Sequence, residues 1–236
     1  MTLTTQEQAV VAAAEKMMIE AMARCDPSHD KYHVQRVRKT ALAIAQSLSP
    51  TPDLLTVELG ARHHCLAALL HDMLDKKYVG AELAGNPYAF FEPFFKSMAD
   101  LHGVDLLADG RARLIADVVD NVSWTTETKL LDAGMWTEWH ATCRELHCVQ
   151  DADRLDAIGA FGVMRCAAFT MKVNKPLHTP PGEPGESASA IGHFYDKLFK
   201  IHDRLKTEPG KKMGANRHRL LLDFVTAIDE EYEATI

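Results

Sequence analysis

Residues 66–72 read Leu66-Ala67-Ala68-Leu69-Leu70-His71-Asp72, an apolar run that stops on an adjacent imidazole and carboxylate. Such a run predicts a helix driven into the core, where a carboxylate without a partner costs several kcal/mol or more. A metal ion satisfies both side chains at once. A helix that ends at the surface, with Asp72 solvated and His71 half-buried, satisfies them without one. The dipeptide alone does not decide: twelve His and eighteen Asp in 236 residues give about one His-Asp pair by chance, and the chain has three, His29-Asp30, His71-Asp72 and His202-Asp203. Only the second closes a long apolar run.

Working outward, the helix carrying this run spans about Asp53 to Asp75, with Pro52 suited to a first helical position after a Thr51 cap. His63 and His64 read as polar-face residues. Beyond the run lies Met73-Leu74-Asp75-Lys76-Lys77-Tyr78. Beside a metal, Asp75 can orient water and the two ammonium groups can hold phosphate charge. Lysines near a helix C-terminus are also favoured by the helix dipole alone.

Toward the N-terminus, residues 5–24 are rich in Ala, Glu, Met and Gln and predict a helix capped by Thr4 or Thr5. Cys25-Asp26-Pro27-Ser28 is a turn signature. A second helix follows His29-Asp30-Lys31-Tyr32-His33. Its apolar positions Val34, Val37, Ala41, Ile44, Ala45 and Leu48 recur at three and four. His33 falls in its first turn, placed either as a surface residue or as a ligand aimed at another helix. Arg36, three residues on, shares its direction, and Arg38 lies on the same helix.

Toward the C-terminus, residues 85–110 are aromatic and interrupted, with four Phe in Phe90-Phe91-Glu92-Pro93-Phe94-Phe95, and predict a short helix packed as a flap or insertion. Arg111 to Val122 is another helix, and Leu130 to Trp139 is loop and short helix. The stretch Val149-Gln150-Asp151-Ala152-Asp153-Arg154-Leu155-Asp156-Ala157-Ile158-Gly159-Ala160 begins a helix expected to run to about Lys172. At about 100° per residue, Ala152, Leu155, Gly159, Val163 and Cys166 form its buried face. Asp156 falls inside that face and needs a hydrogen-bond or cationic partner. Asp153 lies at one edge, Asp151 at the far edge, and Arg154 points away. Asp153 is thus the carboxylate best placed to border a buried site. Pro176 to Ala190 is a Pro/Gly/Ser-rich loop, a lid or a connection. Residues 191–236 read as two helices broken at Pro209-Gly210, with Arg217-His218-Arg219 on the surface or lining an anion pocket.

Period-two alternation is scarce, so the chain is all-α. At 236 residues and 47% hydrophobic it is long and apolar enough for one domain with a sizeable core. The net charge of −7 argues against a dedicated nucleic-acid binder, while leaving room for a local basic pocket. Five cysteines with no C-x-x-C pair read as reduced thiols of a cytoplasmic protein. No signal peptide or membrane-spanning run is expected.

His33, then His71-Asp72, then Asp153, each on a separate helix, resembles the H…HD…D ligand order of the HD-domain metal-dependent phosphohydrolases. The surrounding words, from His29 to Val37, Ala67 to Asp72 and Val149 to Ala160, look like the motifs of the bacterial and fungal group typified by YpgQ and YedJ. His193-Phe194-Tyr195-Asp196-Lys197-Leu198 and Arg217-His218 resemble its C-terminal part. The section between residues 78 and 112 departs from that pattern.

The resemblance covers about residues 25–230. It implies an HD-domain helical bundle with its core over about 25–172 and a helical C-terminal extension over about 190–236. It implies that His33, His71, Asp72 and Asp153 hold one divalent metal ion; such ligands suit Mn, Mg, Fe, Ni, Co or Zn alike. Asp75 and Lys76 then serve catalysis, while Arg36, Lys77, Arg217 and His218 face a phosphorylated small-molecule substrate, a nucleotide. Release of pyrophosphate from deoxynucleoside triphosphates is the first activity to test. Two other readings stand beside it: a phosphodiesterase on cyclic or linear nucleotides, and a nucleotide-binding protein without turnover. A homodimer is compatible with all three.

Overall fold

The computed structural model describes residues 3–23, 30–62 and 86–234, and all the regular structure there is helical. The expected ligands His71 and Asp72, together with Asp75, Lys76 and Lys77, lie outside the described residues.

Helix starts follow local chemistry. Helix α1 (Thr5–Met22) is capped by Thr4, whose hydroxyl accepts from the Glu7 N–H while the Glu7 carboxylate accepts from the Thr4 N–H. Helix α2 (Lys31–Ser47) is capped by Asp30, which accepts from the Tyr32 and His33 N–H groups. Helix α3 is described over 54–62 and starts on Asp53, whose carboxylate accepts from the Thr56 N–H at 2.7 Å. The helix starts where expected, at about Asp53, but its cap is Asp53 and not Thr51: a carboxylate placed to cap wins over the proline signal.

Helix α4 (Pro87–His102) corrects the expectation of an interrupted segment. It runs 16 residues through Pro93, opens on an Asn86 cap and ends on Gly103 at φ 66°. Phe91 and Phe95 lie one turn apart and are fully buried, each worth about 2–3 kcal/mol of apolar burial. Four further helices follow: α5 (Arg111–Asn121), α6 (Trp124–Asp132), α7 (Glu138–Thr142) and α8 (Arg144–Asp156).

The stretch 149–172 is two helices, not one. Helix α8 stops at Asp156, and α9 (Gly159–Lys172) begins on a glycine at φ +74°. A side chain at residue 159 would be strained in that backbone and would meet the stem of Arg217 at 2.9 Å. Helix α10 (Ala190–Asp196) leads through short 3-10 turns to α11 (Glu208–Tyr232). Pro209 lies in the first turn of α11 behind a Thr207 cap, so it opens this helix and does not break it.

Two apolar clusters result. One gathers Val37 and Ile44 of α2, Val57 of α3, Val118 of α5, Val149 and Leu155 of α8, Phe194 of α10 and Leu221 of α11. The other gathers Val10 and Met18 of α1, Leu55 and Leu59 of α3, Phe91 and Phe95 of α4, and Ile115 of α5. Helices α3 and α5 contribute to both. Helix α11 packs on α8 and α9, so the expected extension shares the first core. Among the described residues no helix is long and apolar enough to cross a membrane.

Candidate metal centre

The Asp30 cap fixes where α2 begins, and so places His33 in its first turn, where the ring is buried against α8. Nδ1 of His33 lies 2.7 Å from Oδ2 of Asp156. The same carboxylate accepts from Nε of Arg36 at 2.7 Å, from Nη2 of Arg36 at 3.0 Å and from Nη1 of Arg165 at 3.2 Å. Asp156 thus finds the partners its buried position demands. Burial pushes its pKa up, but the hydrogen bonds from His33 and Arg36 outweigh burial and leave it at about 2.

An ionised carboxylate only accepts, so Nδ1 of His33 carries the proton it shares with Asp156. Burial, the largest influence, pushes the imidazole below its ordinary pKa, against the pull of the Asp156 hydrogen bond. With its proton on Nδ1, a neutral ring directs the lone pair of Nε2 toward Oδ1 of Asp153, 3.6 Å away. Two such donors facing each other can share one cation. Their separation suits two donors on one metal with bonds of about 2.1 Å, for which a tetrahedral edge is about 3.4 Å. A carboxylate behind the imidazole is a recurrent support for a metal-bound His. The donors present therefore fit a divalent ion. Among the described residues, no group of three or more potential ligands is gathered.

The other acids of α8 behave differently. Asp151 is fully buried, and its carboxylate accepts from the N–H of Lys206, the N–H of Thr207 and the Thr207 hydroxyl, at 2.7–3.2 Å. It ties α8 to the start of α11. Arg154, expected to point away, is buried: its guanidinium pairs with Glu127 of α6 and donates to the Arg204 carbonyl at 2.9 Å. A helical wheel cannot foresee this, because the acid that receives it comes from another helix.

The expected substrate contacts divide. Arg36 is held by Asp156 and lies 4.2 Å from the centroid of the Phe161 ring. Arg217 donates to the Leu155 carbonyl at the end of α8. His218 lies among aromatic rings, 5.8 Å from Phe199 and 5.2 Å from His202. Among the described residues, neither Arg217 nor His218 pairs with His33 or Asp153. Sequence reasoning missed Arg165; its only signal was a basic residue in an otherwise apolar helix. Cys143 and Cys148 are buried, and burial pushes their thiols up to about 11 and about 12, so both stay protonated. They act as small apolar side chains.

No protein-family model matches the chain. It is 28% identical over 203 residues to the uncharacterized protein YpgQ of Bacillus subtilis, across 86% of this chain and 84% of that protein. It also superposes on an HD-superfamily hydrolase of Bacillus thuringiensis with a TM-score of 0.65, at 24% identity, covering 97% of this chain and 100% of that one. The two chains share one all-helical fold. The crystal structure of YpgQ in complex with ADP shares it too, superposing with a TM-score of 0.62 at 21% identity and covering 96% of this chain and 97% of that one.

Proposed function

We propose that this HD-fold chain is a divalent-metal-dependent phosphohydrolase acting on nucleotides, and specifically one that releases pyrophosphate from (deoxy)nucleoside triphosphates. The observation that carries the reading is the His33 ring, anchored through Nδ1 on Asp156 and offering Nε2 to the space beside Asp153. The complex of YpgQ with ADP supports nucleotide as the ligand class.

His33, His71, Asp72 and Asp153 would hold the ion. When bound, a divalent cation lowers the pKa of a coordinated water and polarises a phosphoryl oxygen. Asp156 fixes the tautomer and tilt of His33. Arg36 and Arg165 keep Asp156 ionised and in place, which makes Arg36 a positioning residue more than a direct phosphate contact. Arg217 takes a similar part by holding the Leu155 carbonyl. Asp75 orients and deprotonates the attacking water, and Lys76 and Lys77 neutralise phosphate charge, the largest electrostatic demand in such a reaction.

The test incubates purified protein with Mn2+ and a panel of deoxynucleoside triphosphates and cyclic nucleotides, and separates the products by chromatography. Monophosphate plus pyrophosphate is expected. His71→Ala is expected to lose both bound metal and turnover. Opening of cyclic substrates only, or no product with any metal, would overturn the reading.

A further inference from the structure

The contacts above leave Arg36 and Arg217 engaged with the protein itself, so Lys76 and Lys77 would meet the phosphates with room for a further cation on the Asp153 side. Lys197 terminates α10, where its N–H donates to the His193 carbonyl. Its side chain is half-buried, and its ammonium lies 5.8 Å from the centroid of the Trp124 ring. That ring also carries Arg204 at 4.1 Å and Arg154 at 5.9 Å.

The charges around Lys197 are mixed: Asp153 and Asp196 favour its ammonium, while Arg154 and Arg165 oppose it. Arg154 is paired with Glu127, which also takes the ammonium of Lys206 at 2.9 Å. Arg165 is paired with Asp156. Among the described residues the Lys197 ammonium makes no hydrogen bond and no ion pair. Burial pushes its pKa down, and the strongest opposing pull comes from Asp153. Asp153 is the carboxylate that faces His33, so a bound metal would draw on the one acid that most favours this ammonium. A half-buried ammonium with no ion pair among the described residues is stabilised when an anion arrives.

We infer that Lys197 is a substrate contact: its ammonium, steadied over the face of Trp124, takes a non-bridging oxygen of the polyphosphate chain beside Asp153. The inference rests on the nucleotide reading above and names a further group that meets the phosphates. A hydrogen bond between two charged groups is among the stronger polar contacts in proteins. Its loss is expected to be seen in substrate affinity before turnover.

The test compares wild type, Lys197→Met and Lys197→Arg in the Mn2+-loaded protein. Methionine keeps an unbranched stem against Trp124 without the charge. Lys197→Met is expected to raise KM for the triphosphate at least about tenfold, with a smaller change in kcat, and to weaken inhibition by inorganic tripolyphosphate by a similar factor. Lys197→Arg is expected to recover most of both. Asp223→Asn, on an exposed acid of α11, is expected to change neither. An unaltered KM and unaltered tripolyphosphate inhibition in folded Lys197→Met would overturn the inference while leaving the nucleotide reading intact. Wild type that neither hydrolyses nor binds any nucleotide would overturn both. Should Lys197→Met fail to fold, wild-type protein with 13C-dimethylated lysines decides: tripolyphosphate is expected to shift the Lys197 resonance, and an unmoved resonance would refute the contact.

Discussion

Helix α2 sends two arginines to two different buried carboxylates. Arg38 meets Glu58, which also takes Nη1 of Arg62 at 2.9 Å, and Arg62 reaches on to Glu15 at 3.4 Å. Arg36 meets Asp156, which also takes Arg165. Each carboxylate is thus a buried acid between two guanidinium groups. The difference is the third partner. Asp156 holds an imidazole whose far nitrogen faces Asp153, whereas the second oxygen of Glu58 has no partner among the described residues. One cluster joins α2 to α3 and α1; the other aims a ring. A buried acid between arginines therefore reveals nothing about chemistry until the groups beyond it are traced.

The largest expected separation comes from Asp153→Asn. It should abolish metal-dependent turnover while moving the melting temperature of the metal-free protein less than Glu58→Gln does, since Asp153 is partly exposed and Glu58 is fully buried. Activity assays beside thermal melts check this. Next, Asp156→Asn should lower metal affinity or kcat/KM by about 10–100-fold, the usual cost of removing the support behind a metal-bound His, and should also destabilise the protein.

Glu58→Gln should show the reverse pattern. Leaving buried Arg62 with only Glu15 as a charged partner should cost about 3 kcal/mol in urea unfolding, with kcat/KM of the folded protein unchanged. Asp151→Asn sharpens the contrast within α8 itself. It should cost about 1–3 kcal/mol through the weakened bonds to Lys206 and Thr207, again without loss of activity.

Much of this contrast was legible in the sequence, though unevenly. The Thr4 cap and the apolar period of α2 predicted α1 and α2 because they are local, whereas the Asp30 cap went unread. The position of Asp156 on an apolar face demanded a partner, and the structure supplies His33 and Arg36. The break after Asp156 was hidden because the apolar spacing runs straight across it; the chain leaves the helix through an extended Ile158 and the positive φ of Gly159. The burial of Arg154 and the Glu58 cluster were hidden for another reason. Each depends on an acid or base delivered by a different helix, and a periodicity carries no such information. The same holds for Lys197, an unremarkable charge in the sequence until Trp124 and Asp153 are placed around it.

The smallest effect belongs outside both clusters. The hydrogen bond from the Thr4 backbone, opposed by burial and aided by Arg111, holds Glu7 below the ordinary carboxylate pKa. A pKa lowered on folding gives stability that is present above the unfolded value of about 4.3 and lost as pH falls through the folded value. Glu7→Gln should therefore lower stability by a few tenths of a kcal/mol at pH 7, and the gap in melting temperature should close as the pH falls below about 4.

The most direct test of the central claim is anomalous diffraction from crystals of the full chain grown with Mn2+. A single strong anomalous peak is expected within about 2.0–2.3 Å of both Nε2 of His33 and an oxygen of Asp153. A peak bound elsewhere, with Nε2 of His33 left facing Asp153 and no ion between them, would contradict it.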